Sequence, residues 1–159
     1  MNYSHAPEGY NCPFCRIVSQ CADEVWLQQS AVIYHDPLVT AFVPGHHYAG
    51  IKGNALVIPN QHFENIFDID CQVGAEILRV IQRIAFAMKN AYNCEGISTR
   101  QHNEPAGYQD TWHYHEHVFP RFMGDNLYGG RKERYEPEER LYHVELLRKI
   151  TSEIQCDNY

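Results

Sequence analysis

Apolar residues fall first into short runs, then into a helical stripe, then into short runs again. Val25-Trp26-Leu27, Ala31-Val32-Ile33-Tyr34 and Val39-Thr40-Ala41-Phe42-Val43 are broken at Asp36-Pro37, a pattern that predicts successive short strands with tight connections. A loop of Gly, His and Tyr runs from Gly45 to Gly53. Ala55-Leu56-Val57-Ile58 then ends at Pro59, which has no N–H for a sheet ladder, so a strand stops there. After Asp70 the period changes: Ile77, Ile81, Ile84, Met88 and Ala91 recur at three- and four-residue spacing, with Arg79, Arg83 and Lys89 off the stripe. This predicts a long helix with Asp70 as N-cap. Gly96 ends its exit turn, Ile97 to Gln101 form a strand, and Asn103-Glu104-Pro105-Ala106-Gly107 form a loop.

His113, His115 and His117 follow at alternate positions, with Val118, Phe119, Pro120 and Arg121 after them. On a strand, alternate side chains share a face, with roughly 6.5 Å from each to the next but one. Such a row offers chemistry rather than packing, because neutral imidazole can attack phosphorus, abstract a proton or bind a metal. Gly124 to Tyr135 reads as an exposed loop. Pro137, beside Glu136, Glu138 and Glu139, opens a last helix carrying Leu141, Val144, Leu147, Ile150 and Ile154. Strands, one long helix and strands again predict an antiparallel α+β domain with helix packed on sheet.

The chain of 159 residues, 44% hydrophobic, is sized for one domain. Thirteen basic against twenty acidic residues give a net charge of −7, which argues against a broad nucleic-acid-binding face, so a phosphate-bearing partner needs a local site. No run approaches the roughly 20 apolar residues that span a bilayer, and Met1 to Tyr10 lack a signal-peptide core. We therefore expect a soluble, cytoplasmic protein. Of six cysteines only Cys12 and Cys15 are closely paired, and in a reducing compartment that pair reads as metal-binding or redox.

The alternating histidines resemble the signature of the histidine triad (HIT) superfamily. Asn103-Glu104-Pro105-Ala106-Gly107-Tyr108-Gln109 stands where that family carries its phosphate loop, and Leu56-Val57-Ile58-Pro59 with His62 and Cys12-Pro13-Phe14-Cys15 are further landmarks. The resemblance runs from about Cys12 to Arg121 and leaves the C-terminal helix, about 136–156, as an extension of a single domain. It implies a sheet of about five strands, and a hydrolase or transferase acting at the α-phosphate of a nucleoside phosphoramidate or dinucleoside polyphosphate. His115 is then the nucleophile that forms a covalent nucleotidyl-histidine. A backbone carbonyl can accept from its other nitrogen and so fix the tautomer. His117 is implied as a supporting donor, His113 as the third triad member, and Asn103, Gly107 and Gln109 as phosphate-binding residues. A homodimer is implied as well. An alternative is a zinc-stabilised nucleotide-binding module with little turnover. A catalytic ion held by all three histidines is disfavoured, because their Cα atoms span roughly 13 Å.

C-x-x-C spacing lets two thiolates grip one tetrahedral ion but leaves it incomplete. Zinc-bearing relatives complete such a pair at positions that are His62 and His113 here. The resemblance therefore implies a structural Zn2+ on Cys12, Cys15, His62 and His113, with no open position. The other readings are a pair of buried small hydrophobes and a redox pair, the latter lacking its βαβ setting. Val43 and Pro44 replace the acidic residue that usually meets ribose, and Asp110 replaces a small hydroxyl residue and is expected to point away from phosphate. Arg121 is either a phosphate contact or a surface charge. His46 and His47 read as solvated or rim residues.

Overall fold

The computed structural model describes residues 4–19 and 29–154, so the Val25-Trp26-Leu27 run lies outside the described residues. A one-and-a-half-turn helix, α1 (Pro13–Val18), precedes β1 (Val32–His35) and β2 (Val39–Phe42). The turn between these strands is made by Asp36, whose carboxylate accepts from the N–H groups of Leu38 (2.8 Å) and Val39 (2.7 Å). Next come β3 (His46–Tyr48), β4 (Ala55–Pro59), α2 (Cys71–Tyr92), β5 (Gly96–Gln101), β6 (Glu116–Arg121), β7 (Lys132–Arg134) and α3 (Pro137–Glu153).

Five strands form one sheet in the order β1-β2-β4-β6-β5, every neighbouring pair antiparallel. The α+β fold with one long helix on a five-stranded sheet is therefore as the sequence pattern and the resemblance led us to expect. Helix α2 is capped by Asp70, which accepts from Gln72 N (2.8 Å) and Val73 N, and is closed by Asn93 in the left-handed region. Its buried stripe, Val73, Ile77, Val80, Ile81, Ile84, Ala87 and Met88, packs on β2, β4 and β6. Helix α3 packs on α2 and β1.

Two stretches read as loops contain more order than expected. Within Gly45 to Gly53, β3 pairs antiparallel with β7, giving a separate two-stranded ribbon. The stretch Gly124 to Tyr135 is thus no simple exposed loop: it supplies β7 and buries Leu127 and Tyr135. A ribbon this short is fixed by the tertiary contacts of those two side chains, which a periodicity reading does not register.

The sheet has two differently used faces. Val118 belongs to the core that also holds the α2 stripe, whereas Phe119 packs with Ile51 and Leu127 in a second cluster on the other side. His117 lies on that second face. It is in register with Leu56 of β4 and Arg100 of β5, and Leu56 is in register with Phe42 of β2.

Candidate active site

The histidine run is not all strand. The ladder begins at Glu116, and His113 to His115 lie just before it in chain that is not hydrogen-bonded to β4. Pro59 is the cause: lacking an N–H, it ends β4, and Tyr114 N donates instead to Phe63 O (2.6 Å). The freed Pro59 carbonyl lies 3.0 Å from His113 Nε2, and the His113 carbonyl lies 2.8 Å from His115 Nδ1. A carbonyl only accepts, so His113 carries its proton on Nε2 and His115 on Nδ1. That leaves a lone pair on His113 Nδ1 and on His115 Nε2.

His115 is buried, with the edge of the Phe14 ring against it at 5.3 Å between centroids. Burial lowers its pKa, against the opposing pull of the His113 carbonyl, so the ring is neutral and nucleophilic. His117 stands 5.2 Å away and stacks on Phe119. Burial, with His115 next in effect, pushes its pKa down to about 2. Its Nδ1 is buried and has no partner among the described residues. An unsatisfied buried donor or acceptor beside a nucleophile has the character of a group that meets its partner in a ligand.

Both rings line a cavity of about 320 Å3, within the usual size range for small-molecule sites. Phe14, Phe42 and Leu56 form its apolar wall, and Asn54, His46 and Tyr48 add polar groups. A larger cavity of about 490 Å3 lies beside the start of α3, but it holds none of the three histidines, and its Arg140 is committed to the Val43 carbonyl (2.7 and 3.1 Å). The chemistry places the candidate site in the smaller one.

Behind His113 the four sequence-implied metal ligands converge. One donor atom from each of Cys12, Cys15, His62 and His113 lies within 4.8 Å of every other. Cys12 Sγ and His113 Nδ1 are 3.3 Å apart, Cys15 Sγ and His62 Nδ1 3.3 Å, and Cys15 Sγ and His113 Nδ1 3.6 Å. A tetrahedral zinc with ordinary bond lengths sets sulfur and nitrogen about 3.6 Å apart, so the set fits. Burial and the adjacent Cys12 push the Cys15 thiol up to about 12, a penalty that a divalent cation between the sulfurs removes. The bond from His113 Nε2 to Pro59 is the kind that orients a metal-bound imidazole.

The loop after β5 has a different place from its rim. Gln109 is buried, its oxygen accepting from Glu104 N (2.8 Å) and its amide donating to Glu64 O (2.6 Å) and Thr111 O (3.0 Å). Asn103 Oδ1 accepts from Ile66 N, and its amide donates to Gln101. The Gly107 N–H points to Glu104 O, and the Gly107 carbonyl lies 2.5 Å from His102 Nδ1. These bonds hold a backbone with Glu104 at φ 59° and Tyr108 at φ 66°, a region L residues seldom adopt. The loop residues that do line the cavity are Asp110 and Thr111. Asp110 thus corrects our expectation that it points away. Lys132 Nζ, 3.5 Å from its carboxylate, supplies the compensating charge. Arg121 resolves as a strand-end ion pair, gripped by Asp125, and lines no part of this cavity. His46 is at the rim, whereas His47 is buried against Tyr135.

Residues 27–124, more than half of the chain, match the family model described as HIT domain. The chain belongs to the HIT family. Protein hit of Bacillus subtilis is 29% identical over 133 residues, covering 81% of this chain and 86% of that protein. A zinc-bound histidine triad family protein from Mycobacterium smegmatis superposes with TM-score 0.75 at 29% identity, covering 90% of this chain and 94% of that one. A HIT-like protein involved in cell-cycle regulation from Bartonella henselae superposes with TM-score 0.78 at 26% identity, covering 92% and 99%.

Three parts of the site lie outside the matched HIT domain: Cys12 and Cys15, the cavity-lining Pro13 and Phe14 between them, and Lys132 on β7. Sequence reasoning found the cysteines by their spacing. It missed Phe14 and Lys132, because a single aromatic or lysine carries no pattern until the fold brings it to the cavity. Among the described residues no helix is long and apolar enough to cross a membrane.

Proposed function

We propose that this HIT protein is a nucleotide hydrolase or transferase that works through a covalent nucleotidyl-His115. The single observation that carries the reading is the 2.8 Å contact from His115 Nδ1 to the His113 carbonyl, which leaves Nε2 unprotonated on a ring that lines the cavity. In the first step Nε2 attacks the α-phosphorus, a P–N bond forms, and the bond from phosphorus to the leaving group breaks. The leaving group takes up a proton from solvent, and neutral His117, beside His115, can donate its N–H as a hydrogen bond to the phosphoryl group. In the second step water attacks the same phosphorus, the P–N bond breaks, and the proton lost by the water passes to solvent, replacing the one taken by the leaving group. Nucleoside monophosphate departs, and His115 returns to its starting tautomer.

Gln109, Asn103 and Gly107 act in this reading by fixing the strained loop that presents Asp110 and Thr111, and they reach phosphate only if the loop rearranges around a ligand. Cys12, Cys15, His62 and His113 would hold a structural zinc, whose chemistry here is to tie α1 to the catalytic run, since four protein ligands leave no position for substrate. The zinc-bound mycobacterial relative supports that part. Phe14, in the first turn of α1 between the two cysteines, would be held against His115 by the same ion. A homodimer and a cytoplasmic setting complete the reading.

The deciding experiment offers the protein an adenosine phosphoramidate and, separately, a diadenosine polyphosphate. Turnover lost in His115→Ala, with nucleotide binding retained, is the expected result. Equal turnover by the variant removes the nucleophile, and binding without turnover by either form identifies a binding module instead.

A further inference from the structure

The fixed charges that face the candidate cavity come from two distant parts of the chain. Asp110 ends the loop five residues before His115, and Lys132 lies on β7, outside the residues matched to the HIT domain. The ladder pairs Lys132 with Tyr48, which itself lines the cavity, so backbone hydrogen bonding delivers the lysine to the rim. Its Nζ is 3.5 Å from Asp110 Oδ2. These two are the only Asp, Glu, Lys or Arg among the described residues that line the cavity. Arg100 is stacked against the rings of Tyr48 and Phe119 at 5.1 and 5.3 Å, and Arg121 is held by Asp125.

Carboxylate and ammonium cancel, so the rim presents no net positive charge to phosphates beyond the one that reacts. A polyphosphate chain must either break the ion pair to reach Lys132 or lie against the Asp110 carboxylate, and like-charge contact is how sites reject a wrong ligand. We propose that the Asp110–Lys132 ion pair is a specificity determinant that admits nucleotides with a single phosphate and discriminates against those with a phosphate chain. This rests on the nucleotide reading above. Within that reading it selects phosphoramidate-type substrates over dinucleoside polyphosphates.

Equilibrium binding tests it apart from catalysis. AMP and ATP are titrated, without added divalent cations, into wild type, Asp110→Asn, Lys132→Gln and the double variant. Both side chains are more than half exposed, at 68% and 54%, so the substitutions leave the core intact. Asp110→Asn strengthens ATP relative to AMP by about fivefold, the scale of an exposed ion pair, and Lys132→Gln weakens it by a similar factor. The double variant returns near the wild-type ratio, and high salt shrinks all the differences. An ATP-to-AMP ratio unchanged by Asp110→Asn overturns the proposal whatever the turnover. If no form binds either nucleotide, the nucleotide reading falls and takes this one with it. The expected binding ratios in a protein without turnover sustain the ion-pair role and overturn only the hydrolase reading.

Discussion

At the scale of single residues, one carbonyl decides how the candidate nucleophile is poised. His115 is held as the Nδ1–H tautomer by His113 O, and burial keeps it neutral. His115→Ala is expected to lower kcat by at least about 10³-fold in a phosphoramidate assay while a nucleotide still binds. His117 makes a prediction about stability. Its folded pKa, pushed down to about 2, lies below the unfolded value of about 6.5. The groups that act on it, His115, Arg100, His102 and Lys132, include no carboxylate to offset its burial. The unfolded chain therefore binds this proton first, so the contribution is fully present above about pH 6.5 and is lost as pH falls toward the folded value. Denaturant midpoints measured from pH 7 down to pH 5 should fall, and His117→Gln should flatten that slope. An unchanged slope in the variant contradicts the assignment of a neutral, unpartnered ring.

Among elements, α3 shows how far the fold extends past the matched domain. It packs on α2 and β1 with Leu147 fully buried. Leu147→Ala should cost about 2–5 kcal/mol in urea unfolding, and a loss under 1 kcal/mol would mean that α3 is an independent appendage. Gly53 makes a sharper point: it sits at φ +78°, and a Cβ there would come within 2.3 Å of the Tyr92 ring. Gly53→Ala should therefore lower the melting temperature by more than an exposed-site substitution such as Gly9→Ala. The long helix, the strand stopped at Pro59 and the paired cysteines were legible in the sequence, because each rests on a local rule of period, proline chemistry or spacing. The β3–β7 ribbon was not, since three-residue strands depend on distant Leu127 and Tyr135 for their order. The beginning of β6 was misread for a related reason: alternation of side chains persists through His113 to His115 although Pro59 has already ended the ladder. Asn103 and Gln109 drew notice because the resemblance sets them in a phosphate loop, whereas their bonds to Ile66 N and Glu64 O join segments 37 and 45 residues apart and follow from no local rule.

For the whole molecule, the Cys12–Cys15–His62–His113 group and the cavity form one unit, because Phe14 touches both His113 and His115. Metal analysis of protein purified without added zinc should find close to one equivalent. Removal by a chelator should lower the unfolding temperature and weaken AMP binding together, whereas a metal-free protein of unchanged stability would reduce the cysteines to packing residues. The most direct measurement of the catalytic claim is mass spectrometry of protein denatured in base during turnover of an adenosine phosphoramidate. An adenylyl group on the peptide that holds His115, absent from His115→Ala, is the expected result. Turnover by wild type with no adduct at any quench time, or with the adduct on another residue, contradicts it.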